Sequence, residues 1–422
     1  MADEIELKLE LTQEAVDALD AVAFWPDGGV VADQRSTYFD TPDHALSHAG
    51  LSLRIRRSGR KRVQTVKAER ASAGGLFVRS EWERGVEDDI PVIDDTTPLR
   101  ALLGEDTDAV APAFAVQVER RSWMVEEGDA RIELVLDRGE VAIADRASPI
   151  CEIELELKSG RPHALFAFAR RVDAVAPVRL GVQSKSERGY RLTGPVSSTV
   201  KAEPVGLTDE LSAAEAFRVI VRSCLRHYRL NEALLLIGRD ADALHQARVA
   251  LRRLRSAFSI FKPVVAGKRQ LALRDELRWL AAELGRARNL DVLLGRSATG
   301  ALHDRVAAAR EAAYDRVHEV LGSARVRTLM LDLVEWTAIG DWLEVPDTEA
   351  ARNQPARAFA CTSLDRLRRR VKKGGREIIR ADDETRHELR KDAKKLRYGA
   401  FDPYDRSRAG SKAVVQACVL EA

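Results

Sequence analysis

The hydrophobic pattern of this chain changes period once, near residue 200, and that change restricts it to two differently built halves. Up to about residue 193 apolar residues recur at every second position; from about residue 207 they recur at helical spacing. Between them runs Gly194-Pro-Val-Ser-Ser-Thr-Val-Lys-Ala-Glu-Pro-Val-Gly206, which is rich in Pro, Gly and Ser and reads as a linker. A chain of 422 residues also exceeds one ordinary core, so an α+β multidomain protein is expected, divided into residues 1–200 and 201–422. Charge follows the same division. Residues 1–200 hold 26 Lys and Arg against 35 Asp and Glu, and residues 201–422 hold 42 against 31. Halves of opposite sign imply different ligands.

In the first half the polar positions of the alternation are charged. Glu4, Glu6, Lys8 and Glu10 alternate with Ile5, Leu7 and Leu9, and the same grammar recurs at Ser52-Leu-Arg54-Ile-Arg56, Arg79-Ser-Glu81-Trp-Glu83, Arg131-Ile-Glu133-Leu and Glu152-Ile-Glu154-Leu-Glu156-Leu-Lys158. Residues i and i+2 share one face of a strand, so each segment carries a charged row and an apolar row. One sheet face in water is the commonest cause of such alternation. Carboxylates two and three deep on a strand fit water less well, because neighbouring like charges repel unless a cation lies between them. Acidic rows facing Arg and Lys rows suit a complex of Mg2+ or Mn2+ with a polyphosphate: carboxylates ligate the metal, and guanidinium and ammonium groups pair with the phosphates.

The second half carries one eleven-residue signature twice. His245-Gln-Ala-Arg248-Val-Ala-Leu-Arg252-Arg253-Leu254-Arg255 is followed about 140 residues later by His387-Glu-Leu-Arg390-Lys-Asp-Ala-Lys394-Lys395-Leu396-Arg397. On a helix, His245, Arg248, Arg252 and Arg255 fall within roughly 80° of one face, as do His387, Arg390, Lys394 and Arg397. Leu251, Leu254 and Phe258 form a neighbouring apolar face, as Leu389, Ala393 and Leu396 do in the second copy. An isolated basic stripe is usually a solvated face. Its repetition with the histidine retained favours a polyanion groove, and so many cations beside the histidines disfavour a metal there. The stripe lacks the aromatic and amide side chains that read bases, which disfavours nucleic acid.

Glu4-Ile-Glu6-Leu-Lys8 resembles the opening motif of the CYTH, or triphosphate tunnel metalloenzyme, superfamily. Ser36-Thr-Tyr38-Phe-Asp40-Thr-Pro, Arg54-Ile-Arg56, Lys67, Arg79, Asp137 and Ser184-Lys185-Ser-Glu-Arg188-Gly-Tyr are similar to its later blocks. The resemblance implies a closed eight-stranded antiparallel β-barrel, a tunnel with its charged row inside, in a metal-dependent inorganic triphosphatase. It implies Mg2+ or Mn2+ on Glu4, Glu6, Glu154 and Glu156, with Glu152 as a further candidate. Lys8, Arg54, Arg56, Lys67, Arg79, Arg120, Lys185 and Arg188 would hold the triphosphate, and Lys8 and Tyr38 would serve the chemistry. Glu81 and Glu83 would orient these cations or touch a second metal.

The two signatures, with Leu277-Arg278-Trp279-Leu280 through Arg286-Ala-Arg288-Asn289-Leu-Asp291, resemble the CHAD family. This implies an all-α bundle with an internal repeat that binds long-chain polyphosphate through His245, Arg248, Arg252, Arg255, His387, Arg390, Lys394 and Arg397. After residue 398 only 24 residues remain, interrupted by Pro403 and Gly410, so the end of this domain is expected to be truncated or altered. Four cysteines without metal spacing and the lack of a membrane-length apolar run suggest a cytoplasmic protein, with polyphosphate granules as a candidate location. Two other readings stay open: a polyphosphate-binding protein with little catalysis, and a CYTH enzyme acting on nucleotide or thiamine triphosphate.

Overall fold

The computed structural model describes residues 4–68, 75–195, 199–376 and 378–400, apart from the side chains of Arg79 and of residues 397–400. The C-terminal end, for which a truncation or alteration was expected, lies outside the described residues. The chain divides into two compact units, Met1–Ser197 and Ser198–Ala422.

The first unit is built on ten strands: β1 (Glu4–Glu10), β2 (Val30–Asp40), β3 (Leu51–Ser58), β4 (Lys61–Ala68), β5 (Leu76–Arg79), β6 (Glu81–Gly85), β7 (Ala111–Glu127), β8 (Ala130–Ile143), β9 (Arg146–Ser159) and β10 (Arg179–Leu180). The helices are α1 (Gln13–Ala21), α2 (Ala45–His48), α3 (Leu99–Leu103), α4 (His163–Val175) and α5 (Lys185–Thr193). The sheet is antiparallel throughout its paired strands, in the order β10-β1-β9-β8-β7-β2-β3-β4-β6, with β5 joined to β1. The expected closed eight-stranded barrel is therefore corrected to a ten-stranded, tunnel-like open sheet. At Ser80 the chain leaves one pairing partner for another: β5 bonds to β1 and β6 to β4, so no continuous ladder closes the ring.

Helices cover the apolar rows on the outside. Phe39, Leu53, Ile55 and Val66 pack with Leu46 of α2 and with Leu99 and Leu103 of α3. α4 lies across β1, β7 and β9 and buries Leu165, Phe166, Phe168 and Val172. With the apolar faces taken, the charged rows are left facing each other inside. Charged side chains make up part of the interior of this unit, the reverse of a small barrel filled by apolar residues.

The second unit is helical: α6 (Ala213–Ile237), α7 (Ala241–Ile260), α8 (Lys262–Val265), α9 (Lys268–Leu294), α10 (Ala301–Gly322), α11 (Ala324–Ile339), α12 (Glu349–Asn353), α13 (Ala356–Arg376) and α14 (Asp383–Ala400). A capping box between Ser212 and Glu215 opens α6, and Asp240 caps α7 through the amides of Asp242 and Ala243. The two signatures lie on α7 and α14, and α14 packs on both α13 and α7. Leu251, Leu254 and Phe258 are buried as expected. In α14 the expectation needs correcting: Leu389 and Leu396 are only half-buried and Ala393 is exposed, while Asp392 is buried beside Lys395 (3.0 Å) and Arg370 (3.5 Å). An ion pair with α13 has taken the place of an apolar contact. Cys151 and Cys224 are free thiols, and Cys361 is disulfide-bonded. No described helix is long and apolar enough to cross a membrane.

Gly139 marks the tightest approach of β7 and β8, since a Cβ there would lie 2.0 Å from the carbonyl oxygen of Gln117. Backbone cannot move aside as a side chain can. Gly139→Ala should therefore destabilise the first unit by about 1–3 kcal/mol, read as a lower denaturant midpoint. An unchanged midpoint would mean that the strands do not approach this closely.

Candidate functional site

A cavity of about 460 Å3 runs between the inward-facing rows of the first unit. Strand register explains its walls. Glu6, Glu156 and Glu133 are cross-strand neighbours on β1, β9 and β8; Lys8 is opposite Glu154; Arg120, Asp137 and Glu152 follow on β7, β8 and β9. On the far wall Tyr38, Arg54, Thr65 and Glu83 form one row, and Ser52, Lys67 and Glu81 the next.

One end of the cavity is closed by ion pairs. Lys8 Nζ lies 2.9 Å from Glu152 Oε1 and 2.7 Å from Glu154 Oε1. Lys185 Nζ meets the same two oxygens at 2.5 and 2.9 Å and Asp137 at 2.7 Å. Arg120 donates to both Asp137 oxygens, at 2.8 and 2.6 Å, and to Glu154 Oε2 at 2.9 Å. Three cations thus face three carboxylates. Burial opposes charge on Glu152, Lys185 and Arg120, yet the partners prevail: Lys185 and Lys8 bring Glu152 down to about 2, Lys185 sits well above the ordinary lysine value, and Arg120 is raised as well. Asp137, Glu152 and Glu154 are close enough to share a metal ion, their nearest oxygens lying within 4.8 Å of one another. The ammonium groups of Lys8 and Lys185 already lie among them, so the charge an ion would supply is in place.

Toward the rest of the cavity the balance changes. Burial raises Glu156, and the nearby Glu4 and Glu133 carboxylates add to the rise against the pull of Lys158. Lys67 Nζ lies 2.9 Å from Glu81 and 3.4 Å from Glu4. On the opposite wall Arg54 touches the Tyr38 hydroxyl at 3.5 Å and has no carboxylate within 4 Å among the described residues; its Nε is buried without a hydrogen-bond partner. Arg56 pairs with Glu83 at 3.3 Å, but burial, Arg54 and Arg120 hold its guanidinium below the ordinary value. Tyr38 is buried and stacks on Phe114 with ring centroids 4.7 Å apart.

In the second unit, α7 and α9 together carry a cationic surface. Arg248 Nη1 donates to the Ala281 carbonyl at 2.9 Å, lying over Gly285, where a Cβ would come within 2.7 Å of it. Burial and mutual repulsion among Arg248, Arg252, Arg255, Arg278 and Arg288 hold Arg248 and Arg255 below their ordinary values, and His245 is lowered by burial, Arg288 and Arg252. His387, Arg390 and Lys394 are exposed on α14.

Residues 2–190 match the CYTH domain family and residues 219–402 the CHAD domain family. The chain carries a CYTH domain followed by a CHAD domain. It is 30% identical over 203 residues to the inorganic triphosphatase of Haemophilus influenzae, an alignment that covers 46% of this chain and 55% of that protein; the chain thus spans about half the length of this curated relative. The crystal structure of the CHAD domain from the plant Ricinus communis is 31% identical and covers 48% of this chain and 68% of its own, with a TM-score of 0.42. A putative adenylyl cyclase from Hippeastrum with a dominant triphosphatase activity is 20% identical and covers 46% of this chain and 97% of its own, with a TM-score of 0.36.

The expected site residues of the CYTH domain separate into three groups. Glu4, Glu6, Glu156, Tyr38, Arg54, Arg56 and Lys67 line the cavity with Lys8, Arg120, Lys185 and Glu154, of which the last four are committed to the closed end. Arg188 does not line it and instead pairs with Glu10 at 2.5 Å. The side chains of Arg79 and Arg397 lie outside the described residues. Glu133, Lys158, Ser52 and Thr65 line the cavity without having been singled out. Lys158 was within reach, since it continues the i, i+2 row of Glu152, Glu154 and Glu156; Glu133 needed the β8–β9 register. In the CHAD domain Arg278 and Arg288 were overlooked within a block that had been quoted.

The closed end gives a stability prediction with a defined pH window. Glu152→Gln leaves two buried ammonium groups short of one carboxylate and should cost about 3–5 kcal/mol near neutral pH. Because folding lowers Glu152 from 4.5 to about 2, its contribution is complete above pH 4.5 and is lost as pH falls through 2. The gap between wild type and variant in urea midpoints should narrow over that interval; a gap independent of pH would remove Glu152 from the network.

Proposed function

We propose that the CYTH domain hydrolyses the terminal phosphoanhydride of inorganic triphosphate with Mg2+ or Mn2+, and that the CHAD domain binds long-chain polyphosphate. The observation that carries the first part is the division of charge in the cavity. Arg54, which has no carboxylate within 4 Å among the described residues, lines the cavity with Glu4, Glu6, Glu133 and Glu156. Such a site is completed by an anion on one side and a cation on the other.

The donor set fits the metal. Carboxylate oxygens are the hard ligands that Mg2+ and Mn2+ take, and the Lys158 ammonium between Glu133 and Glu156 is a stand-in for positive charge at that place. Of the four ligands expected, Glu154 has both oxygens engaged by Lys8, Lys185 and Arg120, so Glu4, Glu6 and Glu156 bear the assignment. When bound, the ion supplies neutralisation of phosphate charge and a polarised water. Arg54, Arg56 and Lys67 then orient the triphosphate and stabilise charge on the leaving phosphate. Tyr38 stacks on Phe114 with its hydroxyl beside Arg54, and in this reading that hydroxyl serves the terminal phosphate. Lys8 and Lys185 keep the acidic strand β9 in position behind them, with Arg120 beside them, and Arg79 and Arg188 complete the proposed cationic set. In the CHAD domain His245, Arg248, Arg252 and Arg255 form the binding stripe with Arg278 and Arg288, joined on α14 by His387, Arg390, Lys394 and Arg397. A cytoplasmic location, at polyphosphate granules, is part of this proposal.

Purified protein should release phosphate from triphosphate with Mg2+ or Mn2+ faster than from pyrophosphate, ATP, thiamine triphosphate or long-chain polyphosphate. Glu6→Gln should abolish the metal-dependent release while leaving the melting profile intact; unchanged turnover at saturating metal would falsify the assignment. Arg54→Ala and Arg56→Ala should each weaken triphosphate binding by about 1.5–3 kcal/mol, measured by calorimetry. Wild-type affinity in both would mean that neither touches the ligand.

Polyphosphate binding by the full chain should weaken steeply with salt, since each neutralised phosphate releases a condensed counterion. Burial and the nearby Arg288 and Arg252 hold His245 below its ordinary value in the free protein, and a polyanion would offset the arginines' repulsion. Binding should therefore take up a proton and tighten as pH falls below about 6.5. A flat profile in both wild type and His245→Gln would leave the imidazole a packing role.

A further inference from the structure

Glu133 of β8 stands in register opposite Glu156 of β9, which stands opposite Glu6 of β1. Carboxylates placed side by side on three adjacent strands repel one another. Here a cation intervenes: Lys158 Nζ lies 2.7 Å from Glu133 Oε2 and 2.5 Å from Glu156 Oε1. This lysine differs from those at the closed end. The Lys158 side chain is 35% exposed, against 2% for Lys8 and 8% for Lys185. Lys8 and Lys185 cannot leave without stranding charge in a water-poor interior. Lys158 can swing its flexible stem toward water and lose only a partly solvated ion pair.

We propose that Glu133 joins Glu4, Glu6 and Glu156 in holding the divalent cation, and that the Lys158 ammonium is a built-in counterion that the metal displaces. The inference rests on the metal-dependent reading of this cavity. A divalent ion needs oxygens from both Glu133 and Glu156, and the ammonium uses one oxygen of each. The two cations compete for the same place, so Lys158 lowers metal affinity below what the carboxylates alone would give. It also keeps those carboxylates from repelling one another when no metal is present. The pair Glu133–Lys158 thus sets how readily the cavity loads and releases its ion.

The test is Mn2+ binding to the full chain without triphosphate, followed by the electron paramagnetic resonance of free Mn2+, with thermal melting of each variant with and without Mn2+. Lys158→Met should bind Mn2+ roughly three- to tenfold tighter than wild type, the value of a partly exposed ion pair. Lys158→Arg keeps the charge and should retain wild-type affinity; Glu133→Gln should bind at least threefold more weakly. Without metal Lys158→Met should melt lower than wild type, and Mn2+ should raise its melting temperature by more than it raises that of wild type. Lys158→Gln gives the same comparison where the Met variant folds poorly. Mn2+ affinity that is unchanged or weaker in both Lys158→Met and Lys158→Gln overturns the competition, and unchanged affinity in Glu133→Gln removes it as a ligand. Wild-type protein that binds no Mn2+ would instead sink the metal-dependent reading itself, a failure distinct from either of these.

Discussion

The first unit depends on one arrangement, a set of opposite charges removed from water and held in register. Lys8, Lys185 and Arg120 against Asp137, Glu152 and Glu154 are drawn from β1, β7, β8, β9 and the start of α5. Buried charges are expensive to desolvate, and their attraction offsets that only when each has good partners. Partnership of this kind requires the strands to lie in one register, because a slip by one residue would put the apolar rows inside and the ions against α4. The network therefore specifies which face of the sheet turns inward as much as it adds stability.

That closed end also determines what the remainder of the cavity can do. Its charges answer one another, so binding capacity falls to the groups outside it, among them Glu4 beside Lys67 at 3.4 Å and Glu133 and Glu156 beside the partly exposed Lys158. Arg54 and Arg56 crowd on one wall and Glu4, Glu6, Glu133 and Glu156 on the other. Such groups gain little by pairing within the protein and gain most from a ligand that carries both signs, as a metal-bound phosphate does. The same low dielectric that makes the closed end firm strengthens the attraction between a bound phosphate and the Arg54 and Arg56 guanidinium groups.

Much of this was legible in the chain and the illegible parts have physical causes. Parity was legible: two-residue alternation put Glu4, Glu6, Lys8, Arg54, Arg56 and Glu156 on the charged rows of their strands, the family resemblance turned those rows inward, and helical spacing placed both basic signatures on helices. Cross-strand register was not, because it is set by turns and by packing between distant segments. Hence Glu133 was passed over although it stands beside Glu156, and the pairing of Arg188 with Glu10, and at 3.9 Å with Glu152, was not foreseen. The break at Ser80 was equally invisible; the continuous charged pattern from Arg79 to Glu83 read as one strand, yet the chain changes partner there and leaves the sheet open. In α14, Asp392 lies inside the basic signature and turns inward to Arg370, a long-range pair that no local pattern announces.

The two units handle charge in opposite ways, and the contrast follows from solvent. In the cavity, acids and bases are interleaved across strands, and their long side chains are fixed by partners. On α7 and α9, burial and neighbouring arginines hold Arg248 and Arg255 below their ordinary values, while Arg278 and Arg288 lie near Asp275 (3.1 Å) and Asp291 (3.8 Å); water and salt screen the like charges where they reach the surface. A screened stripe cannot fix the orientation of a short anion, since each contact is weak and the side chains are free to move. It can hold a long one, because many weak contacts add along the chain and released counterions supply the driving force. A cavity with firm, desolvated partners has the reverse property: it holds few phosphates and fixes each. The proposed assignment of short triphosphate to the sheet and long polyphosphate to the helices thus follows from dielectric environment as well as from the identity of the residues.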